Sequence, residues 1–195
     1  MSAANAKRIV RPLISAEAIQ ARIQELADEI SRDYAGSERL VVVGVLKGSV
    51  LFAADLIKRL TVPVELDFCQ TASYGSGTTG GEVHMKKDVD LPLRDADVLV
   101  VEDIVDTGWT LRTLLDLFAN RRPRSLRLCA LLDKAEAREV EVPIAYRGFT
   151  IPQQFVVGFG LDWGEKFRQL PYIGLVETVH EESEEIGRAS CRERV

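Results

Sequence analysis

The sequence predicts an α/β fold in which a twisted, mainly parallel sheet is flanked by helices in a doubly wound arrangement. Two observations carry this expectation. Leu40 to Leu46 and Val98 to Val101 are apolar runs of strand length without polar alternation, the pattern of strands buried on both faces. Between such runs lie segments with apolar residues at helical spacing, so strand and helix alternate along the chain.

Ser15 to Tyr34 sets Ile19, Ile23, Leu26, Ala27 and Ile30 on one helical face, with Ser15 at the N-cap and Gly36 as the stop. Leu40 to Leu46 is a strand, after which Lys47-Gly48-Ser49 leads into a helix reaching about Leu60. Val64 to Thr71 alternates as a strand. Ser73 to Gly81 is too rich in Gly, Ser and Thr to pack, and Val83 to Val89 returns as the second strand of a long hairpin. The strand from Val98 feeds a helix ending near Asn120, and strands follow at Ser125 to Leu132, Ile144 to Phe149, Phe155 to Gly158 and Tyr172 to Val176. No repeat or linker interrupts this order, so residues 1–184 are read as one domain. Residues 185–195 (EIGRASCRERV) break the pattern and match what translation of a common sequencing adapter would give, so they are set outside the domain as a non-native tail.

At 195 residues and 46% hydrophobic the chain can bury a full core. A net charge of -5 argues against nonspecific nucleic-acid binding while permitting a local basic site. No apolar stretch reaches the roughly 18 residues of a membrane span, and the N-terminus lacks the layout of a signal peptide, so a cytoplasmic protein without membrane partners is expected. Cys69 and Cys129 fall in strands without CxxC spacing, and only His84 and His180 accompany them. Neither a zinc site nor a disulfide framework is supported.

The chemistry concentrates where the Val98 strand ends, in Glu102-Asp103-Ile104-Val105-Asp106-Thr107-Gly108-Trp109-Thr110. Backbone N–H groups at a helix start, the hydroxyls of Thr107 and Thr110, and a glycine that permits close approach make a phosphate cradle. Carboxylates beside such a cradle would repel a bare phosphate. They fit a ligand that also offers sugar hydroxyls, or a Mg²⁺ that offsets the charge, so a ribose phosphate with metal is expected.

This stretch resembles the ribose-phosphate signature of the type I phosphoribosyltransferases, with wording close to the hypoxanthine-guanine branch. Lys47-Gly48 resembles that family's pyrophosphate loop, and Ser73-Tyr74 the opening of its mobile lid. A second match runs from Phe155-Val156-Val157-Gly158 through Asp162 to Arg168 and Leu170-Pro171-Tyr172. The resemblance spans about Leu13 to Val176. It implies the family's fold, with a small hood and a flexible lid hairpin added to the sheet, and transfer of a phosphoribosyl group from 5-phosphoribosyl 1-diphosphate to a 6-oxopurine with Mg²⁺ as cofactor. In those terms Asp106 is the general base, Glu102 and Asp103 hold the ribose, and Asp106 to Thr110 take the 5′-phosphate. Lys47, Gly48 and Arg168 meet pyrophosphate. Lys134 faces the exocyclic oxygen of the purine, Phe155 stacks on it and main-chain groups at Val156 read its edge. Asp162, grouped with the purine site, also joins Glu102 and Asp103 in holding the metal. Trp109 departs from the family, which often has a smaller, aliphatic or basic residue there, and its bulk is expected to alter the lip of the pocket. The resemblance further implies a homodimer or homotetramer and often a cis Leu-Lys bond in the pyrophosphate loop. Two other readings stay open: the same fold acting on xanthine, guanine alone or another base, and a regulatory module that binds nucleotide and RNA, against which the acidic balance argues.

Overall fold

The computed structural model describes residues 6–74 and 82–180. Residues 75–81, within the glycine-rich stretch expected to form the lid, and the proposed tail at 185–195 lie outside the described residues.

Strand β2 (Leu40–Val45) opens the main sheet, followed by β3 (Val64–Tyr74), β4 (Glu82–Lys87), β5 (Asp97–Val105), β6 (Ser125–Asp133) and β7 (Ile144–Thr150), in spatial order β4-β3-β2-β5-β6-β7. All neighbours are parallel except β4, which pairs antiparallel with β3. Helices α1 (Ala16–Asp33) and α2 (Val50–Ile57) cover one face and α3 (Trp109–Ala119) the other. The strands feed both cores: Val42, Leu99 and Val101 pack with α1 and α2, and Val41, Val43, Val98 and Val100 with α3. That two-sided burial is why these strands read as continuous apolar runs. Ser15 caps α1 as expected, accepting from the Ala18 N–H at 3.2 Å.

Several boundaries differ. α2 stops at Ile57 rather than near Leu60. Ser73 and Tyr74, expected to open a loop, continue β3 by pairing with Val83 and Glu82, because an antiparallel partner satisfies their backbone whatever their side chains prefer. The expected strand at Phe155 to Gly158 contracts to β8 (Val156–Val157), and the last strand, β9 (Ile173–His180), runs further than expected. The N-terminal strand β1 (Ala6–Ile14) was not anticipated. It pairs antiparallel with β9, which also pairs with β8, to form a separate three-stranded hood.

β2 and β5 lie side by side, yet the chain leaves β2 for β3 on one flank and β5 for β6 on the other. Such a reversal opens a crevice at the carboxyl ends of the two strands, where an open α/β sheet binds its ligand. Leu46-Lys47-Gly48 and Asp106 to Thr110 extend directly from those ends.

Candidate active site

Three segments meet in the crevice with almost no space between them. A Cβ on Gly48 would lie 1.7 Å from Asp103 Oδ2, and one on Gly160 would lie 1.9 Å from the Gly48 carbonyl oxygen. Only hydrogen fits at either position, so the loop after β2, the end of β5 and the loop after β8 are locked in one arrangement. The Leu46–Lys47 peptide bond is cis.

The turn from β5 into α3 forms the anion cradle. Gly108 takes φ +96°, the left-handed region, and a Cβ there would meet the Val140 carbonyl at 2.5 Å. The Thr107 carbonyl accepts from the N–H groups of Glu139 (3.0 Å) and Val140 (3.1 Å), which pins the turn from outside. Arg112 N–H is bonded to the Gly108 carbonyl, so the N–H groups of Trp109, Thr110 and Leu111 precede the helical ladder and are free for an anion. Glu102, Asp106, Thr107, Gly108 and Thr110 line a cavity here. Trp109 is exposed at its lip, its indole N–H donating to Glu139 at 2.9 Å.

The tip of β5 carries two adjacent carboxyls. Asp103 is buried and accepts the Ile104 N–H at 3.0 Å, while Glu102 Oε2 is sealed from solvent without a hydrogen-bond partner. Burial, with the charge of Asp103 beside it, pushes the Glu102 carboxyl well above the usual carboxylate range. Burial also raises Asp103, opposed by its hydrogen bonds.

Beyond them a second cavity is lined by Asp103, Ile104, Asp106, Lys134, Phe155, Val156, Leu161 and Asp162. Lys134, only 8% exposed, puts its Nζ 3.0 Å from Asp106 Oδ2. Its backbone N–H donates to the Val105 carbonyl at 3.0 Å, and the neighbouring buried Asp133 is held by Arg138 and, at 2.9 Å, by Arg147 Nε. Phe155 stands 55% exposed at the mouth, edge-on to Trp163 with ring centroids 5.9 Å apart.

At the opposite end Lys47 Nζ lies 3.0 Å from Glu165 Oε2. Arg168 donates to the Gly160 carbonyl (2.7 Å), to Asp162 Oδ1 (2.7 Å) and, at the longer 3.4 Å, to Glu165 Oε2. Its Nε is buried without a partner. The arrangement therefore offers cations at both ends, an anion cradle on one side and buried carboxyls between them.

The family description "Phosphoribosyl transferase domain" matches residues 14–163. The chain belongs to the phosphoribosyltransferase family. It is 47% identical over 173 residues to the hypoxanthine phosphoribosyltransferase of Haemophilus influenzae, covering 87% of this chain and 97% of the relative. With the enzyme of that name from Salmonella typhimurium it shares 46% over 178 residues, 90% of this chain and 99% of the relative. A crystal structure of a hypoxanthine-guanine phosphoribosyltransferase from Bacillus anthracis, with HEPES in its active site, superposes with a TM-score of 0.83 at 44% identity, covering 88% of this chain and all of that one. The hypoxanthine phosphoribosyltransferase of Trypanosoma cruzi, solved as a ternary substrates complex, gives 0.81 at 40% identity over 88% of this chain and 96% of that one.

In this phosphoribosyltransferase the fold gathers most of the expected site residues around one crevice. Among the described residues no three His, Cys, Asp or Glu side chains are grouped closely enough to hold a metal ion by themselves. Asp162 pairs with Arg168 and accepts the Glu165 N–H on Oδ2 at 2.8 Å, while lining the same cavity as Asp103. The side chains of Ser73 and Tyr74 lie outside what is described, and their backbone belongs to β3 rather than to a loop. Sequence reasoning passed over Glu165, whose only signal was an acid in a glycine turn next to a basic-aromatic pair. It also passed over Gly160, whose close approach to Gly48 exists only in three dimensions.

Proposed function

We propose that this chain is a purine-salvage enzyme that transfers the 5-phosphoribosyl group from 5-phosphoribosyl 1-diphosphate to hypoxanthine, and to guanine as a second base, releasing pyrophosphate. One observation carries the reading: the buried ammonium of Lys134 faces Asp106 in a cavity walled by Phe155 and Val156, and that cavity opens onto the anion cradle. A 6-oxopurine presents an acceptor to that ammonium, whereas adenine presents a donor pair and would leave a buried charge unpaired.

The purine N9 attacks the anomeric carbon, the bond from that carbon to the diphosphate oxygen breaks, and the proton on N7 passes to Asp106. The cradle from Asp106 to Thr110 holds the 5′-phosphate, Glu102 and Asp103 accept from the ribose hydroxyls, Val156 main-chain groups meet the base edge and Phe155 covers its face. Lys47, with Gly48 allowing the approach, and Arg168 take the diphosphate. The orphaned Glu102 oxygen and its neighbour Asp103 suit a hard divalent ion, which they and Asp162, lining the same cavity as Asp103, would hold. A Mg²⁺ ion held there would supply charge neutralisation for the departing diphosphate. Ser73 and Tyr74 belong to the lid that shields the reacting sugar. The enzyme is read as a cytoplasmic homodimer or homotetramer, in keeping with its family. No helix among the described residues is long and apolar enough to cross a membrane.

The test is an assay of purified protein with the diphosphate donor, Mg²⁺ and each nucleobase. Hypoxanthine and guanine turn over, adenine barely does, and excess chelator stops the reaction until Mg²⁺ is restored. Efficient adenine use, or silence with every 6-oxopurine, overturns the assignment.

A further inference from the structure

The contact between Lys47 and Glu165 joins two loops far apart in the chain and ties up a cation that the reading above gives to the diphosphate. Glu165 sits in the turn after Asp162 at φ +66°, its N–H on Asp162 Oδ2, so that its side chain folds back over the crevice. A single oxygen, Oε2, accepts from Lys47 Nζ at 3.0 Å and lies 3.4 Å from the Arg168 guanidinium. Lys47 and Glu165 are 56% and 64% exposed, so the pair contributes little to holding the fold, and Arg168 is already fixed by the Gly160 carbonyl and Asp162. Lys47 holds the Glu165 carboxyl below the usual range, so it is anionic at neutral pH. A carboxylate oxygen shared between two cations is a stand-in for a phosphate oxygen: it is anionic, accepts from both and fills the space between them.

We infer that Glu165 is an internal competitor for the diphosphate subsite, occupying Lys47 and Arg168 in the free enzyme and having to withdraw before donor or pyrophosphate binds. The inference rests on the assignment of Lys47 and Arg168 to the diphosphate. Its consequence is a deliberate weakening at one end of the site. Donor and pyrophosphate each bind less tightly than the two cations alone would permit, and departing pyrophosphate is met by a carboxylate ready to return. Specificity for the base is untouched, because neither Lys134 nor Asp106 takes part.

Titration calorimetry with magnesium pyrophosphate as the probe, on the full chain, tests this. Glu165→Gln should bind it about three- to tenfold more tightly than the unmodified protein, the scale of releasing exposed ion pairs. The donor KM and the pyrophosphate inhibition constant should fall by the same factor, with the hypoxanthine KM unchanged. Glu165→Asp, which keeps the charge on a shorter arm, should fall between. In a Lys47→Met background most of the gain from Glu165→Gln should vanish, since the competitor's chief partner is gone. Unchanged or weaker pyrophosphate binding by Glu165→Gln overturns the competition, provided Lys47→Met alone weakens it. If neither Lys47→Met nor Arg168→Met changes pyrophosphate affinity, the diphosphate assignment itself falls and takes the competition with it.

Discussion

The two ends of the crevice each present a lysine paired with a largely exposed carboxylate at 3.0 Å, yet the two lysines sit in opposite surroundings. Lys134 is buried, its backbone is tied to β5, and its neighbour Asp133 is clamped by two arginines. Lys47 and Glu165 stand in solvent on loops. A buried charge that loses its partner costs far more than an exposed one, because water cannot replace what was lost. The purine end is therefore built to discriminate. The diphosphate end is built to attract and release, and its interactions weaken with salt.

The sharpest way to break that contrast is Asp106→Asn. Loss of the base should lower turnover with hypoxanthine by roughly 10²- to 10⁴-fold while donor affinity stays nearly constant, measured in steady state. Unchanged turnover would remove Asp106 from the chemistry. Next is Lys134→Gln, whose amide can donate or accept. It should cut kcat/KM for hypoxanthine by about 10- to 100-fold and narrow the gap to adenine, the range of a lost charge-assisted hydrogen bond. An unchanged base ratio would move discrimination elsewhere.

The exposed end should respond more mildly. Lys47→Met is expected to raise the donor KM by about threefold to tenfold, less at high ionic strength, and to leave base choice alone. A change in the hypoxanthine-to-adenine ratio would show that the two ends are not separable. The smallest effect is on stability. The Glu102 carboxyl holds its proton in the fold at pH values where the unfolded chain, with an ordinary value of 4.5, has released it. The stability from this group is thus complete below pH 4.5 and declines as pH rises toward the folded value. Glu102→Gln abolishes that decline and should raise Tm at neutral pH by about 2–4 °C in a thermal melt, even as activity falls. No such gain is expected from Lys47→Met, which lies on exposed loops. A lowered Tm for Glu102→Gln would mean that the buried carboxyl stabilises the fold rather than strains it.

How much of this was legible beforehand depends on the range of the interaction concerned. The doubly buried strands and the turn from Glu102 to Thr110 announce themselves because their determinants are local: apolar runs, a glycine for a positive φ, hydroxyls at a helix start. β1 did not, since Ala6 to Ile14 mixes basic residues and a proline with adjacent apolar pairs rather than alternating, and becomes a strand only because β9 offers it a partner. Asp162 was placed with the metal-binding carboxyls by motif, but which cation claims it is decided by the fold. Glu165 was invisible for the same reason: its meaning lies in Lys47, which the sequence places far away.

The hood imposes an order on biosynthesis. Its first strand starts at Ala6 and that strand's partner ends at His180, while every strand of the six-stranded sheet has emerged by Thr150. A nascent chain can close the large sheet with both β2 and β5 in place, but β1 has no partner until β9 has emerged. Phe155, just before β8, and Asp162 and Arg168, between β8 and the start of β9, gain their final support at that late moment. The protein thus completes the wall that receives base and diphosphate last, and a growing polypeptide on the ribosome holds an open half-site until then.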